Sequence, residues 1–254
     1  MQDMSYKELQ RRIEDAEKIL VGIGDDFDMT DFLSISPIYQ IVCKEIAEAG
    51  CLWVMPYVNA YFIKDNVQLK TAYQNLGNLF ENKDNFVVSV SMNGMLNLAR
   101  LNPEKIVEPC GTYHLVQKKM DDGYLIQPVN QNLLTEIEAC IKKEKNWKDL
   151  QHTVVFNSLY AEPYAECGYQ KQWQEYTKWL KQTVNKKLCV LELGSSMMFA
   201  SVIRFRFEKI VALNNKAKFI RVNKRMYHIP EEISKKGEFV SKNAVDFMAE
   251  IVKV

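Results

Sequence analysis

The stretch "EKILVGIGDDFDMT", Glu17 to Thr30, runs a short apolar segment into Gly22-Ile23-Gly24 and then into a cluster of acids. "KILVG" reads as a buried strand, and the glycines as the turn that leaves it. Glycines after a strand let a diphosphate approach the backbone, yet Asp25 and Asp26 stand where such an anion would sit. A bare G-x-G lacks the third glycine of the dinucleotide fingerprint, so taken alone it favours an ordinary turn capped by Asp.

Working outward, the same kind of apolar run recurs at "NFVVSVS" (Asn85 to Ser91), "HTVVFN" (His152 to Asn157), "KLCVLELG" (Lys187 to Gly194) and "KFIRVN" (Lys218 to Asn223). These runs are too apolar to keep one face in water, which predicts strands of a parallel sheet covered on both sides. Between them lie helical patterns: Ser5 and Glu8 open the chain with a capping box, Trp173, Tyr176, Leu180 and Val184 repeat at helical spacing, and "SKNAVDFMAEIVK" does the same. Strand alternating with helix predicts an α/β, Rossmann-like parallel sheet with helices on both faces. A single domain over residues 1–254 is expected, with insertions at about 30–83, helical and aromatic, and at about 118–150, polar with one amphipathic helix at "LLTEIEACIKK".

A net charge of +1, with basic residues scattered among acids, gives no electrostatic reason to bind nucleic acid or anionic lipid. The opening "MQDMSYKELQ" has no basic region followed by an apolar run, and "CLWVMPYVNAYFI" is interrupted and too short to cross a bilayer, so a cytoplasmic protein with no membrane partner is expected. The cysteines, Cys43, Cys51, Cys110, Cys140, Cys167 and Cys189, form no CxxC pair, which predicts neither zinc nor disulfides.

Ligands of parallel α/β sheets bind beyond the carboxyl ends of the strands. After "FVVSVS" comes Asn93, able to donate and accept to a carboxamide, or to cap a helix. After "EKIVE" comes Cys110, which lacks close basic neighbours and reads better as an inert thiol than as a nucleophile; His114 reads better as a structural histidine than as a base. After "CVLELG" come Ser195 and Ser196, suited to phosphate contacts or to an N-cap. After "FIRV" come Asn223 and Lys224, suited to a ribose or adenine edge or to a surface turn.

The order of these segments resembles the motif series of the sirtuins, the Sir2-like NAD-dependent family, over nearly the whole chain: the glycine pair, "VSMNGMLNLA", "IVEPCGTYHLVQ", "VVFN", "LELGSSM" and "FIRVN". The segment "CGYQKQWQEYTKWLKQTVNKKLCVLELGSSMMFASVIRFRF" looks closest to the macrodomain-associated branch, some of whose members transfer ADP-ribose to proteins. The resemblance implies a sirtuin-like NAD-binding fold with a small helical insertion module. It sets Gly22, Ile23, Gly24 and Asp25 against the family's turn over the NAD pyrophosphate, and Gly194, Ser195 and Ser196 against its Gly-Thr-Ser. It sets Asn223, with Lys224 beside it, against the Asn that meets the adenosine ribose.

On the reactive side, Ser91 and Asn93 stand for the Asn and Asp of the family's Thr-x-Asn-x-Asp, and Cys110 for the general-base His. Those three are the candidate catalytic residues. Loss of the histidine argues against ordinary deacylation, since a general base is worth about 10²–10⁴ in rate. The zinc-ribbon segment holds only Cys140, so no zinc is expected. The implied function is binding of NAD or ADP-ribose, with NAD the candidate cofactor. Weak ADP-ribosyl transfer to a protein acceptor, or NAD glycohydrolysis, would accompany it. The alternative is an inactive sirtuin-like sensor or interaction scaffold.

Overall fold

Every residue of Lys18–Ile23 is buried, because this strand is sandwiched between two parallel neighbours and covered on both faces. The computed structural model describes residues 4–150 and 152–250. In chain order its strands are β1 (Lys18–Ile23), β2 (Asn85–Ser89), β3 (Ile106–Val107), β4 (Gly111–Met120), β5 (Gly123–Pro128), β6 (Val155–Ser158), β7 (Leu188–Leu193), β8 (Lys218–Val222) and β9 (Gly237–Val240). Six of them form one sheet in the order β3-β2-β1-β7-β8-β9, every pair parallel.

Alternation along β1 divides its side chains between two cores. Ile19, Val21 and Ile23 join Leu9 and Ile13 of α1 (Tyr6–Asp15), together with the apolar faces of α5 (Val67–Leu79) and α9 (Ala244–Glu250). Leu20 joins Val88 and Val190 against Tyr176 and Trp179 of α7 (Cys167–Lys181) and Phe207 of α8 (Arg204–Leu213). Helices therefore cover both faces. The capping box is in place: Ser5 N donates to Glu8 Oε2 at 2.8 Å, and Glu8 N to Ser5 Oγ at 3.4 Å.

Residues 30–79 fold as α2 (Thr30–Ser34), α3 (Pro37–Ala49), α4 (Met55–Ile63) and α5. Val155–Ser158, read from sequence as part of the parallel sheet, instead pairs antiparallel with β4 in a separate sheet of order β5-β4-β6. Its apolar run signals burial but not a partner. Phe156 is buried against Val116, Tyr57 and Trp147 in a third core, shared with α6 (Gln131–Ile141). The small module thus joins helices to a three-stranded antiparallel sheet. Among the described residues no helix is long and apolar enough to cross a membrane.

Candidate functional site

Parallel pairing brings the carboxyl ends of β1, β7 and β8 side by side, and the ladder continues into the loops beyond them. Gly24 N donates to Leu193 O at 2.7 Å, Gly194 N to Val222 O at 2.8 Å and Asn223 N to Val240 O at 3.0 Å. A Cβ on Gly24 would collide with the Gly194 backbone, and Gly194 itself turns at φ +65, in the left-handed region. Gly22 serves a different purpose: a Cβ there would stand 2.7 Å from Ile203 and Phe207, so its bareness seats α8 on the sheet.

The acids that follow occupy the anion-binding donors of these loops. Asp25 Oδ1 accepts from Ser196 N at 2.8 Å, the backbone amide that stands where a phosphate contact is expected. Asp26 Oδ2 accepts from Ala244 N at 3.2 Å; burial raises its carboxyl to about 6, with that amide pulling the other way. Asn223 staples two loops together, donating to Ser195 O at 3.0 Å and accepting from the amides of Arg225 and Met226 at 3.0 and 2.8 Å. These residues border a cleft of about 410 Å³ with Asp25, Asp26, Asp31 and Asp246 among its acids. Facing them, Lys224 and Arg225 are exposed at the rim and form no ion pair among the described residues.

The reactive-side candidates converge on Asp28, an acid whose role the sequence reading missed. Its Oδ1 accepts from Ser91 Oγ at 2.7 Å and Met92 N at 3.1 Å. Asn93 is 2% exposed and engaged at both ends: Nδ2 donates to Phe27 O at 2.7 Å, and Oδ1 accepts from Met95 N at 2.8 Å and Tyr73 OH at 3.2 Å. Cys110 is 3% exposed. Burial first, then the charges of Asp28, Asp25 and Glu108, pushes its thiol up to about 12, which leaves no thiolate at neutral pH. The third acid of "DDFD" was the available sequence signal for Asp28.

Burial pushes the Asp28 carboxyl up to about 7, against the hydrogen bonds from Ser91 and Met92 that favour its charge. A folded-state value above the unfolded one means the native state binds the proton more tightly. The charge therefore costs nothing below about pH 4, and stability is lost as pH rises from there through 7. Asp28→Asn keeps the acceptor oxygen without the charge. It is expected to exceed the parent by about 4 kcal/mol at pH 8, and by nothing near pH 4, in urea melts at the two pH values. An equal difference at both would refute the assignment.

Beneath the cleft lies an ion network that sequence reading also missed. Arg221 holds Glu192 in a fork, Nε to Oε1 at 2.9 Å and Nη2 to Oε2 at 2.8 Å, and reaches Glu208 at 2.7 Å and His228 O at 2.5 Å. Both Glu192 and Arg221 are 0% exposed. Arg204 stands 3.6 Å from Glu192 and donates to Ser195 O at 3.4 Å and to Met226 O. Two glutamates and two arginines balance in charge and tie the loops after β7 and β8 to the sheet. A lone Glu and a lone Arg inside apolar runs were the only sequence hints.

Of the predicted cofactor-side residues, Asp25, Ser196, Asn223 and Lys224 line the cleft together. Gly24, Gly194 and the buried Ser195 form the loop junction behind it, while Gly22 and Ile23 lie within the sheet. Ser91 and Asn93 share the Tyr73–Asp28 neighbourhood, with Cys110 in electrostatic reach. Among the described residues no group of three His, Cys, Asp or Glu is placed to hold a metal ion.

The sequence matches no known family profile and no curated protein. Solved structures do match. A structure addressing the mechanism and regulation of Sir2 enzymes shares 13% identity at TM-score 0.54, over 98% of this chain and 96% of its own. One addressing sirtuin substrate affinity shares 15% at TM-score 0.57, over 98% and 99%. A complex of Sir2 with p53 peptide and NAD+ shares 12% at TM-score 0.56, over 98% of each chain. Agreement of this extent, joined to the parallel sheet and its interlocked strand-end loops, establishes the architecture: this chain has the sirtuin fold.

Proposed function

We propose that the protein is a Sir2-like binder of NAD or ADP-ribose in which binding outweighs turnover. One observation carries this reading: the Ser196 amide at the cleft already holds an anion, the Asp25 carboxylate, with the free cations Lys224 and Arg225 on the facing rim. A diphosphate fits that donor once Asp25 leaves it. On the reactive side the groups are engaged with one another: Asn93 has no free hydrogen-bonding end, Ser91 is tied to Asp28, and the Cys110 thiol stays protonated. That arrangement favours a sensor over a transferase, and it supports the argument against deacylation. Phe27, buried in the core, and Met197, exposed, are not among the residues that line the cleft.

Slow ADP-ribosyl transfer to a protein acceptor, or hydrolysis of NAD, is the second reading. It draws on Asp28, which at about 7 is part ionised near neutral pH beside Ser91.

Calorimetric titration of NAD and ADP-ribose, with nicotinamide quantified in the same cell, separates the readings. Binding without nicotinamide is expected. Nicotinamide release favours the enzyme, and absence of binding at millimolar ligand favours a protein-interaction scaffold. Asn223→Ala is expected to weaken ADP-ribose about tenfold, because it unties Ser195 from the Arg225–Met226 turn. Unchanged affinity would remove the loop after β8 from the site.

A further inference from the structure

A second cleft, of about 290 Å³, opens between the edge strand β3, the start of β4 and the first turns of α7. Leu96, Leu101, Ile106 and Leu115 make much of its wall apolar. Into this surface the chain places Glu108, half-buried, and among the described residues its carboxylate has neither a hydrogen-bond donor nor an ion-pair partner. Burial alone pushes that carboxyl up to about 7, with no neighbouring cation drawing it back.

The basic groups nearest to it along the chain are engaged elsewhere. His114 Nε2 donates to Gly94 O at 2.8 Å, and Lys105 lies over the Phe86 ring at 5.9 Å. The first turn of α7 closes on its own connection, Gly168 N donating to Ala165 O at 3.3 Å and Tyr169 N to Glu166 O at 3.1 Å. An uncompensated carboxylate facing an apolar concavity is a site defined by charge and shape together. Its size, at the low end of small-molecule pockets of roughly 300–1,000 Å³, suits a short ligand.

We propose that this cleft binds a free aliphatic amine as its primary ammonium ion, with Glu108 as counter-ion and the leucine and isoleucine wall holding the alkyl chain. A neutral alcohol of equal length would fill the apolar wall and leave Glu108 unanswered. A carboxylic acid would be repelled by it. The site is separate from the cleft bordered by Asp25 and Ser196, and shares no lining residue with it.

The test is calorimetric titration of n-hexylammonium chloride, hexan-1-ol and sodium hexanoate into the intact protein at pH 8. Hexylammonium is expected to bind at least about tenfold tighter than hexanol, as a charge-assisted hydrogen bond in a part-buried setting requires. Glu108→Gln should abolish that preference while leaving hexanol affinity unchanged, and its melting temperature should equal or exceed the parent's, since an unpaired charge has been removed. Should Glu108→Gln fail to fold, Gln172→Trp carries the test by filling the cleft from α7 and displacing hexylammonium. Equal affinity for amine and alcohol, a preference that survives Glu108→Gln, or no hexylammonium binding at millimolar concentration would each overturn the proposal.

Discussion

Asp25→Ser is expected to tighten ADP-ribose binding about 10- to 100-fold. The substitution does two things: it frees the Ser196 amide from the carboxylate it now serves, and it removes a negative charge from beside an incoming diphosphate. Two unit charges about 5 Å apart interact by roughly 1 kcal/mol at water's dielectric and by about 3 kcal/mol at the effective value near a protein surface. That range, about 5- to 150-fold in affinity, brackets the fold-change expected. Asp25→Asn separates the two contributions, because it discharges the position while retaining an oxygen for Ser196 N. It should recover only part of the gain. Adenosine, which has no phosphate, should bind all three proteins alike. Calorimetry at 0.15 M salt gives the comparison, and Asp25→Ser affinity equal to or below the parent's would sink the idea that this carboxylate stands in for a phosphate.

The second large effect concerns stability. Glu192→Ala leaves Arg221 buried with only Glu208 and the His228 carbonyl to answer it, and should cost about 3–5 kcal/mol. For a chain of this size that lowers the melting temperature by roughly 10 °C. Replacing both partners, Glu192→Met with Arg221→Met, should restore most of the loss, because the remaining Arg204 and Glu208 are still balanced in charge. A double-mutant cycle by thermal melts supplies the coupling. Single substitutions costing under about 1 kcal/mol would show that water reaches the network and screens it. Since Arg204 and Arg221 also hold Ser195, Met226 and His228 by their carbonyls, the same loss should loosen the loops around the cleft.

Much of the frame was legible before any coordinates. β1, β2, β7 and β8 lie where four apolar runs predicted them, and α7 carries Trp173, Tyr176 and Leu180 of the predicted stripe but ends at Lys181, before Val184. β3, two residues long, lies in the "EKIVE" run read as the strand before Cys110, whereas β9, with four, went unseen because so short a strand carries no period. Val155–Ser158 was read as a strand in the wrong sheet, since an apolar tetrapeptide records that it is buried and not what lies beside it. In the site, the loops after β1, β7 and β8 were identified from position alone, because parallel strands must deliver their carboxyl ends to one edge. The partners of those loops were not. Asp25 meets Ser196 across 171 positions, Ser91 meets Asp28 across 63, and Asn223 meets Ser195 across 28.

The sequence by itself determined most of the strands and helices, and that the ends of β1, β7 and β8 gather, because hydrophobic periodicity and capping act within a few residues. Only the tertiary structure decided that Asp25 would occupy the Ser196 amide, that Glu192 and Arg221 would neutralise each other, and that Glu108 would face an apolar cleft with no partner among the described residues. Hydrogen bonds and ion pairs act over a few ångströms of space, and folding alone places residues so distant along the chain within that reach.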